Sequence, residues 1–246
     1  MRTRKPVEAL ELVGRLSNPS KMPTLSWSIS AFLCKLGALL ARIPGSTCFR
    51  CYALSGCYRW PSTINAMDRR LAALELALSS ESHRQAWLEA WRSIFAWRYA
   101  QTARAIERTG KPPQDDGRYF RFFDAGDHQN VEHLALMIET ARTAPQCQFW
   151  LPTRETGMLA RYLETGATLP PNLTIRLSVP RIDAAPAGKL LALVRAHPTV
   201  VASGVHSHAG ALPADYVECR AYLNAHKCGE CRECFKPDRA VSYPIQ

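Results

Sequence analysis

The sequence predicts an α/β fold: a partial (β/α) barrel of about five or six mostly parallel strands, with a helical insertion and a cysteine-rich C-terminal segment. Three observations predict it. Four short β-prone runs, YFRFF (119–123), CQFWL (147–151), LTIRLS (173–178) and TVVAS (199–203), begin every 26–28 residues. The segments between them have room for helices and carry apolar residues at helical spacing. Each run also leads into polar or chemically capable residues, and parallel strands bind ligands at their C-terminal ends.

Residues 1–24 read as a loop-rich tail broken by Asn18-Pro19 and Met22-Pro23. LSWSIS (25–30) alternates apolar and polar residues and predicts a first strand. A cysteine-bearing loop follows at 31–61. Residues 62–109 then read as helix, with Leu71, Leu74 and Leu78 on one stripe and Trp87, Trp91, Ile94 and Trp97 on another. A break falls near Ser79-Ser80, where Ser82 and Gln85 fit a capping box. The tryptophans at helical spacing read as core rather than as a base-stacking surface. GKPPQDDG (110–117) is a connector into the strand–helix alternation. Helices are expected at 130–142, at 155–163, and after Pro186, which suits a first helical turn before KLLALVRAH. AVSYPI (240–245) offers a last strand. The expected division is a tail at 1–24, a barrel domain at 25–210 and a cysteine-rich segment at 211–246.

The chain has 246 residues, enough for a sizeable core. No apolar run of about 18 residues exists, so no membrane association is expected. MRTRKPVEALELVG mixes charges and lacks a signal-peptide core, which predicts a cytoplasmic, reducing location. The formal charge of +10 suits an anionic partner, whether nucleic acid, nucleotide or phosphate, and equally a merely soluble basic surface. No GxGxxG or P-loop pattern is present. The oligomeric state is not legible.

The strand tips supply candidate site residues. YFRFF runs into Asp124-Ala125-Gly126-Asp127, QFWL into Arg154 and Glu155, and VVASG into His206 and His208; LTIRLS itself carries Arg176 and Ser178. Singly, each has a structural reading as a cap, a surface pair or a loop residue. Their shared position at one mouth makes them a candidate site.

Nine cysteines fall mostly into two groups. Clustered cysteines in a reducing compartment point to metal or redox chemistry rather than disulfides. CGECREC holds Cys228, Cys231 and Cys234 at CxxCxxC spacing, as bacterial ferredoxin runs begin. Cys219 completes a saturated four-thiolate set. In the first group Cys48 and Cys51 are a ligand pair, with Cys34 upstream and Cys57 downstream. Three ligands, Cys34, Cys48 and Cys51, would leave one iron of a [4Fe–4S] cluster open, whereas adding Cys57 would close it. The competing reading is that both groups bind zinc and staple loops. Cys147 reads as a buried core residue.

LSNPSKMPTLSWSI, IPGSTCFRCYALSGCYRWP, FFDAGDHQNVEHL, FWLPTRE, LTIRLSVPRID, KCGECRECF and VSYP together resemble the "gene product 88" family of bacteriophage proteins over most of residues 16–244. The layout is also similar to that of radical S-adenosylmethionine (SAM) enzymes. Those place three cysteines in the loop after the first strand of a partial barrel, and many add a C-terminal cluster. The second resemblance implies two clusters, SAM at the open iron of the first, an external electron donor, and a 5′-deoxyadenosyl radical that abstracts hydrogen from the substrate. It implies cofactor-binding roles for Tyr52 beside Cys51 and for Asp124, Gly126 and Asp127, where such enzymes carry an ammonium-binding segment. Arg154, Arg176 and Ser178 are further cofactor or anion contacts. Glu155, His206 and His208 are candidates for proton transfer. The phage resemblance and the basic charge point to a nucleotide or DNA base as substrate, in the cytoplasm of an infected host. The chain departs from the usual CxxxCxxC spacing: thirteen residues separate Cys34 from Cys48. Loop length between ligands is thermodynamically forgiving. Two other classes remain: a metal-stapled nucleic-acid-binding protein without catalysis, and an iron–sulfur enzyme using a different cofactor.

Overall fold

A computed structural model describes residues 6–245. Seven strands form one sheet in which every pairing is parallel: β1 (Ser26–Trp27), β2 (Tyr119–Phe122), β3 (Gln148–Thr153), β4 (Leu173–Ser178), β5 (Val200–His206), β6 (Tyr216–Glu218) and β7 (Ala240–Pro244). The order is β1-β2-β3-β4-β5-β7-β6, so the sheet is open and all strand tips share one rim. This is the expected partial-barrel class, with one strand more than expected. β6 was missed because its three residues carry too little alternation to read.

Helices α5 (Val131–Arg142), α6 (Thr156–Glu164) and α7 (Gly188–Ala196) link successive strands. α3 (Pro61–Ser79) and α4 (Glu81–Thr109) form the insertion between β1 and β2. The break falls where expected, but Ser80 is the cap: its side chain accepts from the His83 N–H. Ser82 and Gln85 lie inside α4 instead. Pro186 likewise stands before the Ala187 cap rather than within the first turn of α7. In the 1–24 region, α1 (Val7–Leu12) lies against α4, and Val13 O accepts from Trp27 Nε1 at 2.8 Å, so that segment is partly built into the core.

Alternation along each strand divides the sheet into two faces. Phe120, Phe122, Phe149, Leu151, Ile175 and Leu177 point to the helices and are fully buried. There α4 delivers Trp91, stacked on Phe95 at 5.0 Å and edge-on to Phe120 at 5.2 Å. Trp87 and Trp91 are core, as their spacing required, whereas Trp97 is only half-buried at the edge of the stripe. Cys147 is also buried, with its thiol 3.4 Å from Gly117 O. The other face carries Tyr119, Arg121, Trp150, Thr174 and Arg176, and it is covered by the chain's own C-terminal segment. Phe235 packs edge-on to Tyr119 at 5.0 Å and to Trp150 at 5.8 Å. The 211–246 segment thus contributes two strands and the lining of the inner face. Among the described residues no helix is long and apolar enough to cross a membrane.

Candidate metal centre

The loop after β1 crosses the rim as short turns: a 3-10 turn at Ala31–Leu33, α2 (Leu36–Leu40), and 3-10 turns at Tyr52–Leu54 and Gly56–Arg59. It is tied to three strand tips. Glu155 Oε1 accepts from the Leu36 N–H at 2.9 Å. Tyr52 OH donates to Asp124 O at 2.6 Å. Thr47 Oγ1 donates to Val179 O at 3.0 Å, and Ile182 N donates to Gly45 O at 3.0 Å.

These ties bring Cys34, Cys48 and Cys51 together. Burial first, then the charges of Asp127, Cys51, Cys48 and Glu155, push the Cys34 thiol up to about 12. Burial also raises Cys48, while the Arg154 guanidinium against its thiol works the other way. Gly37 leaves space here: a Cβ on it would sit 3.6 Å from Cys34 Sγ and 3.7 Å from Cys48 Sγ. Cys57 is exposed on the turn Gly56–Arg59.

The second set forms in the C-terminal segment, and Arg121 of β2 lies between the two regions, within electrostatic reach of Tyr52 on one side and of Cys234 on the other. Cys219, Cys228, Cys231 and Cys234 are brought within electrostatic reach of one another. Burial pushes Cys234 up to about 11, against the neighbouring Arg176 charge, and its sulfur lies 3.3 Å from Tyr243 OH. Arg176 is fully buried beneath this segment. It donates to four carbonyls: Cys234 O (2.9 Å), Arg239 O (3.0 Å), Glu233 O (2.6 Å) and Lys236 O (2.8 Å). Thr174 Oγ1 adds a bond to Phe235 O at 2.8 Å. Arg176 was expected to bind a ligand's carboxylate or phosphate; here it clasps the cysteine segment onto β4.

The two aspartates are likewise engaged within the protein. Asp124 accepts from Ser26 Oγ at 2.6 Å and Tyr58 OH at 3.2 Å. Asp127 accepts from the His128 N–H, Thr153 Oγ1 and the Arg154 N–H at 2.8–2.9 Å. Burial works to raise the Asp127 pKa, but the nearby His128 ring and these hydrogen bonds hold it below the usual carboxylate range. Gly126 has φ +74°, and a Cβ there would meet Ile29 O at 2.5 Å, so glycine is needed to seat the β2 tip against the chain leaving β1. Ser178 faces Ser203, hydroxyl to hydroxyl at 3.3 Å. Asp124, Gly126, Asp127 and Ser178 therefore build the rim.

His206 and His208 lie at a separate part of that rim. With Glu218, Tyr222, His226, Pro244 and Ile245 they line an open cavity of about 510 Å³ over the tips of β5, β6 and β7. Ser242 Oγ is 2.8 Å from His206 Nδ1, and Glu218 Oε1 is 3.5 Å from Nε2. Tyr222 OH donates to Glu218 Oε1 at 3.3 Å. Glu218, Tyr222 and His226 were missed from the sequence, since β6 gave no signal of its own. The segment after β4 joins the two regions: beyond its Gly45 bond, Asp183 accepts from the Ser207 N–H at 2.8 Å.

A family model described as gene product 88 matches residues 17–238. The chain belongs to the gene product 88 family. The match takes in both cysteine sets, the rim residues and the cavity residues His206, His208, Glu218, Tyr222 and His226, and ends before Pro244 and Ile245. No curated protein and no solved structure matches the chain.

The donor chemistry can be tested against a metal group. Among the described residues no three His, Cys, Asp or Glu side chains are arranged to hold one metal ion as they stand. The thiols suit a polynuclear iron–sulfur group by type, since thiolates are its ligands and a cluster spreads them wider than one ion does. Burial raises the pKa of Cys34, Cys48, Cys219, Cys228 and Cys234, so binding a cation through these thiols releases protons.

Proposed function

We propose that this protein is an iron–sulfur enzyme of the radical SAM kind that acts on a nucleotide or nucleic-acid base. The observation that carries this reading is the grouping of Cys34, Cys48 and Cys51 on the C-terminal rim directly after β1, with Cys57 exposed on a later turn. Cys34, Cys48 and Cys51 would hold a [4Fe–4S] cluster, which would supply one-electron reduction of a bound sulfonium. The chain's residues do the rest. Glu155 and Tyr52 fix the loop to the strand tips. Arg154 places a positive charge beside Cys48, offsetting the negative charge of a thiolate-bound group. The engaged aspartates leave SAM to be recognised by Arg154 and by loop backbone groups. His206, oriented by Ser242 and adjacent to Glu218, is the group to hold or move a proton at the cavity. Cys219, Cys228, Cys231 and Cys234 would hold a second, closed cluster, filled by an external electron donor. Nine unpaired thiols suit a reducing compartment such as the cytoplasm.

The test is anaerobic reconstitution with iron, sulfide, reductant and SAM. Formation of 5′-deoxyadenosine, lost in Cys51→Ala, is the expected result. No 5′-deoxyadenosine, with iron content unaffected by Cys51→Ala, overturns the reading. The closed four-thiol set favours a second reading, a metal-stapled nucleic-acid-binding protein. It predicts colourless protein with zinc rather than brown protein with iron.

A further inference from the structure

The loop that carries Cys34, Cys48 and Cys51 has a chemically one-sided exterior. No Asp or Glu occurs between Glu11 and Asp68. Within the loop Lys35, Arg42, Arg50 and Arg59 are all exposed. None of the four enters an ion pair among the described residues. Between them stand aromatic rings that a folded chain normally buries. Phe32 is 56% exposed, Phe49 39% and Trp60 61%. The Arg50 guanidinium lies over the Phe49 ring at 5.5 Å. By contrast, the rings of α4 at Trp87, Trp91 and Phe95 are buried to 2% or less.

We infer that this face docks single-stranded nucleic acid, by stacking unpaired bases on Phe49, Trp60 and Phe32 and pairing phosphates with Lys35, Arg42, Arg50 and Arg59. The charge complementarity chooses the occupant. Four unpaired cations without a carboxylate suit a polyanion, and exposed flat rings suit bases that are free to leave a stack. A duplex would present phosphates but no ring faces. An acidic protein would meet the cations but leave the rings without partners. The inference deepens the proposed reading, on which it rests for the substrate class: it would bring a strand to the loop that carries the three thiols.

The experiment uses the full-length, anaerobically reconstituted protein and fluorescence anisotropy with labelled dT20, U20 and a 20-base-pair duplex. Both single strands are expected to bind more tightly than the duplex; a preference between dT20 and U20 tells whether DNA or RNA is the natural strand. Phe49→Leu/Trp60→Leu keeps apolar bulk and removes the stacking faces; it is expected to weaken single-strand binding about tenfold or more. Arg42→Gln/Arg50→Gln/Arg59→Gln is expected to flatten the salt dependence by about two units of log–log slope. Iron content, measured on every variant, shows that the loop is intact. The inference is overturned if both variants bind dT20 and U20 like the parent, or if the duplex binds equally and only the arginine variant weakens. It is also overturned if polyglutamate competes as well as dT20. 5′-Deoxyadenosine formation without any nucleic acid is measured in parallel. Its absence beside normal strand binding would strike the enzyme reading and leave this face standing; the reverse pattern would strike only this face.

Discussion

The two cysteine regions are made of similar parts and built in opposite ways. The N-terminal loop rides over the rim, held at its edges by Glu155, Tyr52 and Thr47, with its rings and cations in solvent. The C-terminal segment is drawn down onto the inner sheet face, where one buried arginine answers four of its carbonyls and Phe235 fills the space between Tyr119 and Trp150. Three thiols gather in the first and four in the second. The difference teaches that ligand type does not set a site's role. A saturated set clasped inside a fold suits structure or electron storage, whereas an unsaturated set at an open rim suits reaction.

The comparison breaks most sharply at the cysteines. Cys34→Ala should lower iron from about eight to about four atoms per chain, while Cys231→Ala should do the same without loss of the N-terminal set. Metal analysis with the electron paramagnetic resonance spectrum of each variant checks this. If either single variant loses all iron, the two sets are not independent.

Next in size is Arg176→Met. It leaves four backbone carbonyls without their buried donor, and an unpaired buried polar group costs about 1–3 kcal/mol. Chemical denaturation should show a loss of roughly 3–5 kcal/mol, within the range for breaking a buried charged network. Arg176→Lys should not restore it, because one ammonium cannot span four carbonyls. The N-terminal loop should keep its metal, since it makes none of these bonds.

Acid should act on the N-terminal side. His133 packs against Trp27 and Phe123 below the β2 tip. Burial, then the neighbouring His128, lowers its pKa from 6.5 to about 3. The unfolded chain therefore binds a proton that the folded chain refuses. Stability is full above the unfolded value and falls as pH drops from about 6.5 towards 3, by about 1.4 kcal/mol per unit at most. His133→Gln should flatten that part of the stability–pH curve by a few kcal/mol in total. An unchanged slope would show that His133 is not the group responsible.

The smallest effect is expected at Cys57. It is exposed on the turn Gly56–Arg59, so Cys57→Ser should change iron content and stability by little. Loss of the N-terminal metal in this variant would make the set a closed one of four and erase the contrast drawn above.

Much of this architecture was legible because short-range patterns carried it. β4 spans the run LTIRLS end to end, and the break between α3 and α4 falls at Ser79-Ser80, since periodicity and capping are local properties. β6 was illegible because three residues cannot display a period, and its only warrant is pairing with β7. The roles of polar residues were the harder part. Arg176 and Asp127 look like ligand-binding groups in a string of letters. Only their partners, 57–63 residues away for Arg176, show that their bonds hold the fold. The cavity residues Glu218, Tyr222 and His226 were invisible for the same reason.

The sequence by itself determined the strand–helix alternation, the core faces of the helices, the basic charge and the two groups of thiols. Each follows from residue type and near-neighbour spacing, which a chain carries before it folds. The tertiary structure alone decided which thiols meet, which face of the sheet the C-terminal segment covers, and which charged side chains are occupied with backbone groups. Those are matters of contacts between residues far apart in sequence. They exist only once burial of the sheet's apolar face has brought the strands, and the loops at their tips, together.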